Sequence, residues 1–251
     1  MEQKRHVIPI DKKYIKKLLI DLLVVFTFTA CFFGYIFKKN GILYCLNDDI
    51  AMRSIVSGVY LGGSPSPYMI FAGFPFNIVL LILYKINNYI DWYGIVLLGA
   101  TVFYLSYTIY NIIKLEKKLT EKIFYTCIIF YISAKLFSTF FIDITFTTVS
   151  SFIAICCLIL YILPNNKLKN IIMIIGILLS YGIRAKSCLM ILVFFFPIYL
   201  YKNMTDKEKL KKDFILGLKM AGLLLICIII GKAMVSSTEW KEYLSYNKYR
   251  S

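Results

Sequence analysis

The sequence has no cysteine spacing typical of a zinc site or a disulfide framework. Six of its seven cysteines fall inside apolar runs and only Cys45 lies outside them, as expected for small core residues. The chain also has no continuous basic face. Its 29 basic residues outnumber the 14 acidic ones, but they form short clusters between apolar runs, which argues against nucleic acid as a partner and indicates membrane topology signals.

The apolar segments lack polar residues spaced through their depth, and no inverted repeat relates one half of the chain to the other. A pore or a secondary transporter would need such features, so a small transporter is the weakest of the readings considered. The basic start is followed by an apolar run that is too long for a signal-peptide core and has no small-residue cleavage site. We therefore expect the first helix to remain as an anchor.

What the sequence has in abundance is apolar surface: 59% of its 251 residues are hydrophobic, with 20 Phe and 20 Tyr, and the mean hydropathy is +0.72. This composition predicts an all-α, polytopic transmembrane helical bundle that forms a single domain over residues 1–251. Seven segments are long enough, or nearly so, to cross a bilayer: Leu18 to Phe37, Trp92 to Ile113, Ile123 to Phe141, Ile144 to Leu163, Asn170 to Ile183, Ser187 to Tyr201 and Phe214 to Val235.

An eighth apolar stretch, Tyr68 to Ile86, is interrupted by Gly73 and Pro75 and lies in a loop over residues 38–91. If it crossed, two large lysine clusters would lie outside, against the positive-inside rule. We expect it instead to form juxtamembrane helix in the outer leaflet, with a cytoplasmic N-terminus. Four clusters then lie inside with 17 of the 29 basic residues: Lys4, Arg5, Lys12, Lys13, Lys16 and Lys17; Lys114, Lys117, Lys118 and Lys122; Lys167 and Lys169; Lys202, Lys207, Lys209, Lys211 and Lys212.

The adjacent acids Asp48 and Asp49 fall in this outer loop, before an apolar pattern that suits a short interfacial helix. One reading makes them cap and first-turn residues, with Asn47 or Asp48 as the cap. The other makes one carboxylate a proton acceptor for an attacking hydroxyl, while the second orients that hydroxyl or holds a divalent cation. The Gly, Ser and Pro residues that follow, from Ser57 to Pro67, form either an ordered turn or a lid.

Five further residues carry two readings each. Tyr60 either stacks on a sugar or sits in the interfacial aromatic belt, and Asp143 is either a second site acid or a turn residue. Lys135 lies about 9 to 10 Å inside its span and either pairs with an acid or a lipid phosphate, or extends to the headgroups. Arg184 and Lys186 form a cationic outer turn suited to a lipid phosphate, with a generic headgroup contact as the alternative.

These elements resemble the seven-helix module of class C glycosyltransferases (GT-C), which use polyprenyl-phosphate-linked sugars. The stretch Asn47-Asp48-Asp49-Ile50-Ala51-Met52, the loop Ser57 to Pro65, and Asp91-Trp92-Tyr93 are similar to those of uncharacterised Gram-positive multi-pass membrane proteins. The resemblance implies an enzyme of the cell membrane, active on its extracellular face, that moves a sugar from a polyprenyl-phosphate donor to a cell-envelope acceptor with inversion.

The resemblance also implies a role for each matched position. Asp48, Asp49 and Asp143 would be catalytic, and Arg184 and Lys186 would bind the lipid phosphate. Lys135 and Tyr60 are not matched positions, and their predicted roles, a further contact to the phosphate and a stacking surface for the sugar, come from the residues alone. Superfamily members usually continue past the seventh span, whereas this sequence stops soon after it, which predicts either a truncated protein or a fragment. The runner-up is a non-enzymatic membrane assembly or immunity protein whose acidic pair begins a helix.

Overall fold

The computed structural model describes residues 21, 23, 25–35, 38, 47–59, 63–140, 145–164, 166–203, 207–235, 241–242 and 245. Every regular element within these ranges is an α-helix, which confirms the all-α class. The nine helices are α1 (Val25–Tyr35), α2 (Asn47–Ser57), α3 (Phe74–Ile86), α4 (Trp92–Ile113), α5 (Leu119–Phe140), α6 (Phe146–Ile162), α7 (Lys167–Ile183), α8 (Ala185–Asn203) and α9 (Lys207–Val235).

Local side chains explain where three of the helices begin. The side chain of Asp91 accepts a hydrogen bond from Gly94 N–H at the start of α4, and Thr145 accepts one from Thr148 N–H at the start of α6. The side chain of Asn166 does the same for Leu168 N–H at the start of α7. Each cap satisfies a backbone donor that the first helical turn leaves without a partner.

The apolar stretch Tyr68 to Ile86 is only partly helical, and its helix begins at the predicted interruption, between Gly73 and Pro75. Helix α3 begins at Phe74 with Pro75 in its first turn, a position that tolerates proline. Before it, Gly73 N–H donates to the carbonyl of Gly182. A Cβ at position 73 would lie 3.2 Å from the Gly182 backbone, tighter than an ordinary contact, so a larger residue would displace one of the two chain segments by a few tenths of an ångström.

The core lies between α4, α6 and α7, with α6 packed against α4, α7 and α8. Two serines fasten α6 to α7 through a reciprocal pair: Ser150 Oγ lies 2.8 Å from Ser180 O, and Ser180 Oγ lies 2.8 Å from Ser150 O. Both serines are fully buried. Each hydroxyl has a hydrogen-bond partner, which offsets the loss of its contact with water.

The bundle has two ends of different character. Helices α4 and α6 begin at one end, where α2 also docks, and we call this the Asp49 end. At the other end, which we call the Lys169 end, α6 finishes and α7 starts. Tyr107 and Tyr110 of α4 cluster there with Leu160 of α6, so α4 and α6 run in parallel and the lysine-bearing segment after α4 also lies at the Lys169 end.

Among the described residues, one helix, α4, is both long and apolar enough to cross a membrane. The buried core helix of a soluble protein has the same properties, and 61% of the apolar window of α4 is buried here. The shorter apolar helices are α1, most of α3, α6 and the first part of α8. The length and composition of α4 are compatible with membrane association, and the crossing of a membrane by any of the segments stays a prediction.

Candidate functional site

Helix α2 lies across the Asp49 end and is fixed there on both of its faces. Its apolar side chains Met52 and Val56 are fully buried in the core. On its polar side Arg53 Nε lies 3.0 Å from Asp91 Oδ1, the residue that caps α4. Asp48 and Asp49 both lie in the first turn of α2, where the helix dipole favours negative charge.

Asp49 connects α2 to the starts of two core helices. The Tyr93 hydroxyl of α4 donates to Asp49 Oδ1 at 2.7 Å, and the backbone N–H of Phe146, the first residue of α6, donates to the same oxygen at 3.0 Å. The other oxygen, Oδ2, is buried and has no hydrogen-bond partner among the described residues. A buried carboxylate oxygen without a partner is costly, and such groups concentrate at functional sites.

The surroundings of Asp49 raise its pKa from 3.8 to about 6. Burial is the largest cause, because it penalises the charged form, and the neighbouring charge of Asp48 raises the pKa further. The hydrogen bonds from Tyr93 and Phe146 and the positive charge of Arg184 act in the opposite direction. A buried acid whose pKa is raised in this way is a candidate for proton transfer.

Asp48 differs from its neighbour in accessibility. Its side chain is partly exposed, whereas Asp49 is 0% exposed. Adjacent residues on a helix point about 100° apart, so one carboxylate faces the core and the other faces outward. The two acids therefore form one electrostatic pair in which Asp48 is the member that a ligand reaches directly.

Arg184 forms the sharp turn between α7 and α8. Its backbone is extended, its N–H donates to Ser180 O at 2.9 Å, and its carbonyl accepts from Cys188 N–H at 3.1 Å. Ser150 Oγ lies 3.1 Å from the same carbonyl. The residue that ends α7 thereby also starts α8, and its position at the Asp49 end is fixed by α6.

The guanidinium of Arg184 rests on two aromatic rings. Its central carbon lies 4.6 Å from the ring centroid of Phe146 and 5.4 Å from that of Phe71. The two rings are stacked nearly parallel, with centroids 5.8 Å apart. The ion pairs among the described residues are Arg53 with Asp91 and Lys117 with Glu121, so no described carboxylate pairs with Arg184.

The remaining predicted site residues are placed only in part. Lys186 is exposed in the first turn of α8, two residues after Arg184. Lys135 lies in α5, but its side chain is outside the described part of the structure. Asp143 and Tyr60 both lie outside the described residues. The structure therefore brings together Asp48, Asp49 and Arg184.

Three residues of this site carried no predicted role: Tyr93, Phe146 and Phe71. Tyr93 belonged to the motif Asp91-Trp92-Tyr93, and that motif was its only signal. Phe146 and Phe71 are two phenylalanines among 20, and nothing in the order of residues separates them from the rest.

The loop after α2 closes on itself. Gly58 has a φ of +84°, and the N–H of Gly63 donates to Gly58 O at 2.9 Å. A Cβ at Gly58 would overlap the backbone of Ser64. The N–H of Ser66 donates a hydrogen bond to Ile55 O at 3.3 Å. These contacts favour the ordered-turn reading of the loop at its two ends, where glycine supplies the left-handed conformation.

A cavity of about 390 Å³ lies elsewhere in the bundle. It is lined by apolar side chains of α6, α7, α8 and α9, among them Tyr161, Ile177, Phe195 and Met220. Ile177 precedes Arg184 by seven residues, so the cavity starts about 10 Å from Arg184 along the axis of α7. The acids are not part of its lining.

A divalent cation at Asp48 and Asp49 was one reading of the acidic pair. Among the described residues, no three His, Cys, Asp or Glu side chains come together in a group that would hold a metal ion. Hard cations take six or more oxygen ligands, and Asp49 Oδ1 already accepts two hydrogen bonds. The described side chains therefore do not form a metal centre.

Comparison of the chain with family models, with curated proteins and with solved structures finds no match.

Proposed function

We propose that this chain is a membrane glycosyltransferase of the GT-C type, which moves a sugar from a polyprenyl-phosphate donor to a cell-envelope acceptor with inversion. The observation that carries the proposal is that Asp48, Asp49 and Arg184, which pairs with no described carboxylate, lie together at one end of a helical bundle. A transfer of this kind needs a carboxylate to take a proton and a cation to stabilise the departing phosphate.

The distribution of charge between the two ends supports a membrane orientation. Lys169 and the segment after α4, with Lys114, Lys117 and Lys118, lie at the end opposite the acids. Positive residues concentrate on the cytoplasmic side of membrane proteins. The Asp49 end is accordingly the extracellular one in this proposal.

The exposed apolar surface supports several membrane spans. Large side chains on α5, α8 and α9 are open to the surroundings, including Phe124 at 62%, Phe194 at 72% and Ile229 at 57% exposure. Apolar patches of this extent are rare on soluble monomers. The proposal therefore places these helices, with α1, α4, α6 and α7, across the bilayer as a seven-span bundle.

In the proposed reaction the donor phosphate binds Arg184, with Lys186 nearby, and its prenyl chain extends along the bundle. Asp48, the accessible carboxylate, takes the proton of the acceptor hydroxyl. The hydroxyl oxygen forms a bond to the anomeric carbon while the bond from that carbon to the phosphate oxygen breaks, and the phosphate leaves with the electron pair. Arg184 stabilises the negative charge that develops there.

The test is the release of polyprenyl phosphate from a panel of polyprenyl-phosphate-linked hexoses, with the protein in proteoliposomes that contain cell-envelope glycan. We expect release by the wild type and its loss in an Asp48→Asn, Asp49→Asn double variant that still inserts into the membrane. Arg184→Gln should lose release as well, because the leaving phosphate loses its cation.

The matched control is Asp91→Asn, since Asp91 is an acid of the same end that pairs with Arg53 rather than with Arg184. It should retain most of the activity. Wild-type turnover that survives in the double aspartate variant would refute the assignment of the acids.

Labelling of Cys45 tests the orientation separately. It stands three residues before Asp48, so its side of the membrane reports the side of the acids. A membrane-impermeant maleimide should label intact cells that carry the wild type and should not label the Cys45→Ser variant. Labelling only after the cells are broken would place the acids on the cytoplasmic side.

A non-enzymatic assembly or immunity protein is the second candidate, and one observation favours it. Asp49 is covered and joins α2 to α4 and α6, which is what a structural acid does. In that case the Asp48→Asn, Asp49→Asn double variant would retain the biological role of the protein, provided that it still folds.

A further inference from the structure

One residue contacts both charged groups of the site. The backbone N–H of Phe146 donates to Asp49 Oδ1 at 3.0 Å, and its ring lies 4.6 Å below the guanidinium carbon of Arg184. Phe146 is the first residue of α6 and only 1% exposed. The acid and the cation are thus held by two different parts of the same residue.

Asp49 and Arg184 are close enough to interact but do not pair. The positive charge of Arg184 lowers the pKa of Asp49, yet the two side chains form no ion pair. Opposite charges in partly desolvated surroundings attract strongly. The guanidinium instead makes cation–π contacts with two rings, Phe146 at 4.6 Å and Phe71 at 5.4 Å, and Phe146 is the nearer of the two.

This separation keeps the guanidinium available. No described carboxylate occupies Arg184, although Asp49 Oδ2 has no partner among the described residues. A direct salt bridge between the two would use the guanidinium donors that an oxyanion needs. Because Asp49 is 0% exposed and Arg184 is partly exposed, the group that the separation leaves open to a ligand is the cation, which suits a phosphate.

We propose that Phe146 is a positioning residue that prevents Arg184 from pairing with Asp49 and thereby keeps the guanidinium free for a phosphate. The inference rests on the proposed function for the identity of the ligand, a prenyl-linked phosphate. The separation of the two charges itself is independent of that function.

The experiment uses the Phe146→Leu variant of the full chain in phosphatidylcholine nanodiscs. Leucine keeps the backbone N–H and an apolar side chain but removes the ring, so Arg184 should turn to Asp49. We expect the affinity for radiolabelled decaprenyl phosphate to fall about tenfold, the loss of one charge-assisted contact. Inorganic phosphate, the second probe, distinguishes a lipid site from a general anion site by whether it competes.

A double variant separates positioning from a merely structural role. In Phe146→Leu with Asp49→Asn the competing carboxylate is gone, so Arg184 should be released and the affinity for decaprenyl phosphate should return to that of Asp49→Asn alone. An affinity that stays low in the double variant, or one that never falls in Phe146→Leu, overturns the proposal.

Infrared titration tests the inference without any ligand. The carboxylic acid band of Asp49 is assigned as the one that disappears in Asp49→Asn. In Phe146→Leu its midpoint should fall by about 1 pH unit because Arg184 now pairs with the carboxylate, while Asp48 and Tyr93, the other groups near Asp49, are unchanged. An unchanged midpoint overturns the proposal.

Phe152→Leu is the matched control, since it removes a buried ring from the same helix about 9 Å further along its axis. It should alter neither readout. If the wild type binds no decaprenyl phosphate, the proposed function fails, and the infrared midpoint of Phe146→Leu alone then decides whether Phe146 separates the two charges.

Discussion

Helix α6 has a buried charge at each end, and the two differ in how completely they are satisfied. At its C-terminal end the Lys169 ammonium, 2% exposed, donates to the carbonyls of Leu160 and Leu163 at 2.7 Å each. At its N-terminal end Asp49, 0% exposed, accepts from Phe146 N–H through one oxygen and has no described partner for the other. Both charges have the sign that complements the helix dipole.

The difference separates a structural charge from a functional candidate. A buried cation that saturates the last carbonyls of a helix stabilises the fold and has little left to offer a ligand. A buried acid with an unused oxygen and a pKa near 6 destabilises the fold when charged, and proteins keep such groups where chemistry needs them. Variants at the two ends should therefore change stability in opposite directions.

The largest effect is expected for Lys169→Met. Methionine keeps the apolar stem but removes the ammonium, so two carbonyls at the end of α6 lose their charged donor. The free energy of unfolding should fall by about 2–4 kcal/mol, as measured by denaturant unfolding in mixed micelles at pH 7. A stability equal to that of the wild type would remove the contrast between the two ends.

Asp49→Asn should act in the opposite direction. The pKa of Asp49 in the folded protein, about 6, lies above its ordinary value of 3.8. The folded state therefore loses stability as the pH rises from about 4 to about 6, and the loss is complete above about pH 7. Asparagine still accepts from Tyr93 and Phe146 but carries no charge. We expect a gain of about 1–3 kcal/mol at pH 8 that disappears near pH 4.

Asp48→Asn is the control for that experiment, because Asp48 is partly exposed. Its effect should stay within about 0.5 kcal/mol. A gain for Asp49→Asn that does not depend on pH would contradict burial of the charge as the cause.

Tyr93→Phe sharpens the description of the Asp49 end. The Tyr93 hydroxyl lowers the pKa of Asp49 by donating to the charged carboxylate, so its removal should raise the infrared midpoint of Asp49 by about 1 pH unit. Tyr84→Phe is the control, since the Tyr84 hydroxyl donates to Asp91 rather than to Asp49. Equal shifts in the two variants would assign the effect to packing.

The smallest effect is expected at the exposed ion pair of the same end. Arg53 and Asp91 have side chains that are 44% and 33% exposed, so solvent and salt screen their attraction. Arg53→Gln should lower the free energy of unfolding by less than about 1 kcal/mol, and the difference should shrink at high salt. A loss as large as that of Lys169→Met would show that burial is not what distinguishes these charges.

Much of the helical framework follows from local sequence. The segment predicted over Trp92 to Ile113 has the same bounds as α4, because its apolar run begins after the aspartate that caps the helix and ends at a lysine. Helices α7 and α8 extend beyond the predicted apolar segments, to Lys167 at the start of α7 and to Asn203 at the end of α8. Helix bounds depend on residues that are neighbours along the chain, so they can be predicted from a single sequence.

The site itself depends on contacts between distant residues. Tyr93 stands 44 positions and Phe146 97 positions after Asp49, and no local pattern joins them. Nothing in the sequence distinguishes the role of Asp48 from that of Asp49. In the structure Met52 and Val56 pack into the core, and this orientation of α2 buries Asp49 but not Asp48. Which face of α2 docks is decided by tertiary packing, and the roles of the two acids follow from it.

The loop between Gly58 and Ser64 has one more consequence. Its two ends, Gly58 and Ser64, are in contact. The chain on either side is held independently, at Asp49 through α4 and α6 and at Gly73 through Gly182. A replacement segment of different length or chemistry between Gly58 and Ser64 would leave Asp49 and Arg184 in place. Substitutions in the segment between Gly58 and Ser64 are therefore expected to leave the spacing of Asp49 and Arg184 unaltered.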